Sequence, residues 1–202
     1  MKKLLLIVWV LVMSYSVSAF ATTDPAIEFV DGVANEIIQN VLTSDASQEQ
    51  KLEMFRATFT KALDLKSIGQ FVLGIYWRKA NEADRQEFLE AFTDLTTKTW
   101  ADRFDMYSGQ SISFVGVRKA DEPKQFYVDS KIQDKEPVEV IWRLRQKGDS
   151  FKIIDIRIEG VNMATSYRNE YSAVLQQNGG DVKALSADLR KKSEAFGTTK
   201  KK

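Results

Sequence analysis

The sequence has no histidine and no cysteine in 202 residues. Without histidine it lacks the commonest general base and the commonest metal ligand, and no Ser-His or Cys-His nucleophile can be assembled. Without cysteine there is no disulfide and no thiol chemistry, so stability must come from an apolar core alone. An excess of one charge is missing too, since 29 basic residues stand against 28 acidic ones. A nucleic-acid binder needs a large basic excess on one face, so no nucleic-acid partner is expected. Gly69 to Gly74 has the outer spacing of a phosphate-binding loop, but Ile75 and Tyr76 stand where Lys and Ser or Thr are required. No acids flank a glycine in a calcium-loop pattern, and there is no internal repeat or low-complexity linker. No metal site and no catalytic set is expected.

The chain opens with Lys2 and Lys3, an apolar run from Leu4 to Met13, a polar-flecked stretch, and Ala19-Phe20-Ala21. This pattern predicts a secretory signal over residues 1–21, cleaved before Thr22. Removing its two lysines leaves 27 basic residues against 28 acidic ones, a charge of minus one. No later apolar stretch approaches the roughly 20 residues that span a bilayer. A soluble protein is expected, periplasmic in a Gram-negative cell. Composition, at 44% apolar and 28% charged, suits one domain over residues 22–197, with 198–202 a flexible basic tail.

Asp24-Pro25 reads as a helix start, followed by Ile27, Val30, Ala34, Ile37, Ile38 and Val41 at helical spacing to about Leu42. Ser47 and Gln50 form a capping-box pattern for a second helix. Asp64 caps a third, ended by Gly74. After Ile75 to Ala80, Asn81 caps a long amphipathic helix reaching Phe104. The period then switches to two, predicting strands over Ser111 to Arg118, Gln125 to Gln133, Val138 to Gln146 and Phe151 to Ile158. In the last, Ile154, Ile156 and Ile158 are assigned to one face and Phe151 and Ile153 to the other, which suits a strand at the centre of a sheet. Asn162 is the expected N-cap of the next helix, and Asp181 that of the last. The fold class is α+β, with helices packed on one face of a four-stranded antiparallel, strongly twisted sheet.

Three features admit two readings. Asp155 interrupts the most apolar strand, either as a general base with a raised pKa or in an exposed ion pair with Arg157, Arg143 or Arg145. Arg168 could meet a phosphate or pair with Glu170, Glu159 or an acid from another helix. The aromatic and apolar stripes are either filled core or the wall of a cavity, because spacing does not distinguish the two.

The run Ile68 to Ala80, the segment Arg85 to Phe92 and the stretch Phe151 to Tyr171 together resemble the MlaC family of toluene-tolerance auxiliary proteins. The most specific matches are Leu73-Gly74 with Trp77, Phe88, Asp155, Glu159-Gly160-Val161, and Tyr167-Arg168 followed by Tyr171. Asn162 replaces the family's usual Ser and Phe151 its usual Trp, both conservatively. The resemblance implies a monomeric periplasmic carrier, not an enzyme, with a phospholipid as cargo and no cofactor. Its partners would be an inner-membrane MCE-domain ABC transporter complex and an outer-membrane lipoprotein–porin complex, and its role the maintenance of outer-membrane lipid asymmetry. It further implies an apolar cavity between sheet and helices. The expected lining comprises Phe71, Val72 and Tyr76; Phe88, Phe92, Trp100 and Phe104; Val140, Trp142 and Leu144; Ile154 and Ile156; and Val161, Met163 and Tyr167. Arg78 and Arg168 are the expected headgroup rim. A small enzyme using Asp155 and a ligand-free adaptor are the alternatives.

Overall fold

Capping side chains set most helix starts. In the computed structural model, which describes residues 23–104 and 108–196, Asp24 accepts from the Ala26 amide and Pro25 opens α1 (Pro25–Ile37). The helix continues as a π-helical turn over Ile38–Leu42. Ser47 and Gln50 close the capping box of α2 (Gln48–Ala62). Asp64 accepts from Ser67 N–H at the start of α3 (Leu65–Leu73), and Gly74, at φ 55°, ends it. A short α4 (Ile75–Lys79), not anticipated from spacing, leads to Asn81, which accepts from Asp84 N–H as α5 (Glu82–Phe104) begins. Strands β1 (Ser111–Lys119), β2 (Gln125–Gln133), β3 (Val138–Lys147), β4 (Ser150–Ile158) and β5 (Val161–Asn162) follow, then α6 (Met163–Gln177) and α7 (Val182–Ala195), which Asp181 caps. The expected signal over 1–21 and the basic tail over 198–202 lie outside the described residues.

The sheet is antiparallel in the order β1-β2-β3-β4-β5, five strands rather than four. Glu159 and Gly160, both at positive φ, fold the chain back so that Val161 pairs with Ile158. β4 is therefore not central, having only a two-residue neighbour on its outer side. The rest of that edge is covered where α2 meets α3: Leu63 bridges to Ile153, and Asp64 N–H donates to Ile153 O at 2.9 Å.

A bulge in β4 corrects the expected facing of its side chains. Arg143 pairs with Asp155 and Leu144 with Ile153, which leaves Ile154 without a partner. One extra residue in a period of two reverses the alternation beyond it. Ile153, Ile156 and Ile158 consequently share the inner face with Trp142, Val140 and Leu144. α1 crosses that face against β1, β2 and β4, and α2 packs beside it, while α3, α5, α6 and α7 form a second layer. There Phe88, Phe92, Tyr167 and Tyr171 stack and meet edge to face, with ring centroids 5.6 to 6.5 Å apart.

Two carboxylates tie the layers. Asp64 lies 2.8 Å from Lys147 Nζ; burial pushes its carboxyl up, but Lys147 and the Ser67 hydrogen bonds outweigh burial and hold it below the ordinary value. Asp94 bonds Arg56, Lys98 and Ser193, joining α2, α5 and α7; burial again opposes, and these partners again win. Folded-state pKa values below the unfolded 3.8 mean that both groups contribute stability above that pH and lose it as pH falls through their folded values. No histidine titrates in between. Urea midpoints should therefore stay nearly level from about pH 5 to 8 and fall below about pH 4. Asp64→Asn, which keeps the α3 cap but loses the ion pairs, should lower the midpoint at pH 7, and this deficit should shrink toward pH 3.

Candidate functional site

Between the inner face of the sheet and α1, α2 and α5 lies a cavity of about 290 Å³. Val33, Ala34 and Ile37 of α1, with Ile38 of the π turn, form one wall, and Phe59 and Leu63 close it from α2. The last turns of α5 contribute Trp100, Arg103 and Phe104. The sheet supplies Ile112, Ile132, Trp142, Ile153, Ile156 and Ile158. Only Arg103, Gln110 and Ser111 are polar among these wall residues.

The strand register places Ser111, with Gln110 just before it, at one end, and Arg103 precedes them in the chain, in the last turn of α5. Ser111 pairs with Gln133, one position beyond the Ile112–Ile132 pair, whereas Ile153 sits at the opposite end beside Phe151. Phe151 meets Phe29 of α1 at 5.9 Å and Phe126 of β2 at 5.7 Å, an aromatic group that stops the apolar end. Trp142 is held in orientation by a relay: its indole N–H donates to Ser130 Oγ at 2.9 Å, and Ser130 Oγ donates to Val140 O at 2.9 Å. The buried hydroxyl on the apolar face is thus satisfied in both senses. Gln110 accepts from Ser108 N–H at 2.8 Å and donates to Asp134 at 3.2 Å, so it braces the turn into β1. The Arg103 guanidinium lies 5.2 Å from the Trp100 ring centre.

Of the fifteen residues expected to line a cavity, the structure brings Trp100, Phe104, Trp142 and Ile156 together around this one. Phe88 and Phe92 are spent in the filled aromatic core, and Val72, Val140, Leu144 and Met163 are buried in close packing. Ile154 is the bulge residue. Phe71 is 45% exposed and Val161 62% exposed. Tyr76 rests against Gly180, and Tyr167 packs edge to face on Phe92, where burial raises its phenol pKa. The other wall residues were missed: those of α1, Ile38 of the π turn, Phe59 and Leu63 of α2, Arg103, and Gln110, Ser111, Ile112, Ile132, Ile153 and Ile158. The α1 stripe was visible as an apolar spacing, but nothing in it says that the partner face stands off.

The rim residues also fall elsewhere. Arg78 is exposed on α4 and outside the cavity wall. Arg168 donates to Phe71 O at 3.3 Å and lies over the Phe71 ring, a contact possible because a Cβ on Gly74 would stand 3.0 Å from its Nη2. It therefore caps the end of α3 and does not pair with Glu170, which holds Lys192 at 3.1 Å. Asp155 is not in an exposed ion pair either. At 7% exposure it accepts from Ile156 N–H at 2.9 Å, Ala164 N–H at 3.0 Å and Asn162 Nδ2 at 2.8 Å. Arg143 pairs with Glu122 instead. The N-cap of α6 thus comes from Asp155 on the sheet, and the Asn162 side chain serves Asp155. Its partners leave the carboxylate no route to the cavity as a base.

Among the described residues there is no group of three carboxylates, or of other metal-ligating side chains, that could hold a metal ion. No helix among them is long and apolar enough to cross a membrane.

The chain is 23% identical over 164 residues to the toluene tolerance protein ttg2D of Pseudomonas putida, covering 77% of this chain and 75% of that one. It is 21% identical over 189 residues to the intermembrane phospholipid transport system binding protein MlaC of Haemophilus influenzae, covering 86% and 88%. Its fold matches that of a phospholipid-binding protein from Ralstonia solanacearum solved in complex with a phospholipid, with a TM-score of 0.76 at 21% identity over 86% of this chain and 99% of that one. A model of the family described as MlaC protein matches residues 28–191, most of the sequence, and on that match the chain belongs to the MlaC protein family.

Proposed function

We propose that this protein binds glycerophospholipid and carries it across the periplasm, between an outer-membrane lipoprotein–porin complex and an inner-membrane MCE-domain ABC transporter. It would act as a monomer, after removal of residues 1–21. The observation that carries this reading is the apolar cavity with Gln110 and Ser111 at one end, a shape suited to an amphiphile with its chains inside and its headgroup near water. Family membership, the name of the Haemophilus relative and the phospholipid in the Ralstonia structure support it.

The energetic need is plain. Two acyl chains hold roughly 30 methylenes at about 0.8 kcal/mol each, so moving a lipid through water costs on the order of 20 kcal/mol unless a protein receives the chains. A volume of about 290 Å³ lies at the foot of the range of about 300–1,000 Å³ typical of pockets for drug-sized ligands. A diacyl lipid is larger than those ligands. Loading one would then need the walls to part or the chains to extend beyond this space; α1 is held to α2 by apolar contact and by Thr58 donating to Glu36 at 2.9 Å.

The reading is tested by lipid mass spectrometry on protein purified from its native compartment, which should recover about one phospholipid per chain. Ala34→Phe, which projects a ring into the cavity, should cut that recovery severalfold without lowering the melting temperature. The same change at Ala91, 2% exposed in the filled core, should destabilise by about 1–3 kcal/mol. Recovery of lipid undiminished by Ala34→Phe would show that the chains bind elsewhere. A second expected outcome concerns Asp155. Asp155→Asn should cost about 1 kcal/mol, because the amide oxygen still accepts from Ile156 and Ala164, whereas Asp155→Ala strands buried donors and should cost about 3 kcal/mol. Lipid recovery from Asp155→Asn should be unchanged.

A further inference from the structure

Among the described residues of the cavity wall, Arg103 is the one cation. It lies in the last turn of α5, ahead of the polar wall residues Gln110 and Ser111 in the chain, with its guanidinium 5.2 Å from the centre of the Trp100 ring. Trp100 is 7% exposed and is itself part of the wall, so it gives the arginine a fixed platform at the boundary between apolar lining and water. The other polar wall residue with a long side chain, Gln110, is spent on Ser108 and Asp134. The two arginines that the sequence suggested for a headgroup are both removed from the cavity, one on α4 and one capping α3.

We infer that Arg103 is a specificity-determining residue that reads the anionic phosphodiester of the bound lipid, on the reading that phospholipid is the cargo. An amphiphile whose chains run toward Ile153 and the Phe29–Phe151–Phe126 group leaves its headgroup at the Arg103 end. A guanidinium is planar, permanently charged and forked, and its paired N–H donors match the two unesterified oxygens of a phosphodiester. A lysine presents a single, strongly hydrated point charge and matches them less well. Arg103 contacts what all glycerophospholipids share and nothing beyond it. The protein should separate phospholipids from uncharged diacylglycerol, yet take phosphatidylethanolamine and phosphatidylglycerol almost alike. The near-neutral chain adds no broad field that would favour the anionic one. The carboxylate of a free fatty acid offers similar chemistry on one chain, so it belongs in the comparison.

The experiment is a competition on delipidated full-length mature protein, with phosphatidylglycerol, phosphatidylethanolamine, diacylglycerol and oleate displacing one fluorescent phospholipid, at matched acyl chains. Wild type should prefer either phospholipid to diacylglycerol by about tenfold or more, the scale of one charge-assisted hydrogen bond. Arg103→Gln should bring that ratio close to one while leaving diacylglycerol binding unchanged, and Arg103→Lys should retain part of it. Arg78→Gln should leave the ratio as in wild type. A ratio unaltered by Arg103→Gln, in a variant with wild-type melting temperature, would overturn the assignment, as would an effect confined to oleate. Wild-type protein that takes up none of the four lipids would instead overturn phospholipid carriage itself.

Discussion

A buried carboxylate on the second-outermost strand joins the two halves of this architecture. Asp155 accepts hydrogen bonds from its own strand, from the Asn162 side chain and from the first turn of α6, so β4, β5 and α6 share one anchor. The residue before it, Ile154, is the bulge. Without that extra residue Asp155 would share a face with Ile153. Either the carboxylate would then point into the apolar wall, or Phe151 and Ile153 would leave it. The bulge resolves the conflict by sending four apolar side chains of β4 inward and Asp155 outward to the helix that needs an N-terminal acceptor.

The aromatic residues divide accordingly. Those on α5 and α6 that lie over one another, Phe88, Phe92, Tyr167 and Tyr171, close into a filled cluster in which each ring meets at least one partner edge-on. Trp100 and Phe104 at the end of α5, and Trp142 on β3, instead border open space. The difference lies in the opposing surface. α3 and α7 press directly on α5, and α6 meets it through Tyr167 and Tyr171, with Gly69 of α3 so close to Leu89 that an added Cβ would stand 2.7 Å from it. Across the cavity α1 contributes the short side chains Val33 and Ala34 to the wall.

The helix starts were legible in the sequence because each is a local hydrogen bond between neighbours: Asp24, Ser47 with Gln50, Asp64, Asn81 and Asp181 all cap where expected. β2 was legible to the residue, and the other long strands to within one or two, because the change of period is local too. The β4 bulge, the two-residue β5 and the cap from Asp155 to α6 were not, because each depends on a pairing across the sheet. The cavity was least legible of all. Helical spacing identifies Ala34 as inward-facing and Phe92 as inward-facing in the same terms, and only the distance to the opposing layer separates a wall from a core. Arg103 escaped notice for a related reason: it follows Trp100 by one turn at the end of an amphipathic helix, where an exposed arginine is unremarkable until the helix end is seen to border a cavity.

A cavity of this kind strains the stability of a chain that has no cysteine and so no disulfide to reinforce it. At ~24 cal/mol per Å³, the cost found for dry cavities in another protein's core, 290 Å³ corresponds to ~7 kcal/mol. That is as large as the whole net stability of many domains, about 5–15 kcal/mol. The filled aromatic layer of α3, α5, α6 and α7 and the Asp94 ties among α2, α5 and α7 offset part of it at a distance. The polar end offsets more, since a space that water can enter beside Arg103, Gln110 and Ser111 does not carry the full penalty of a sealed one. An acyl chain in the same space restores the lost dispersion contacts and removes its own apolar surface from water. On the proposed function, ligand and fold would be coupled in one free energy: whatever the cavity costs the empty protein would be available to strengthen binding, and a variant with the space filled by its own side chains would be more stable and less able to bind.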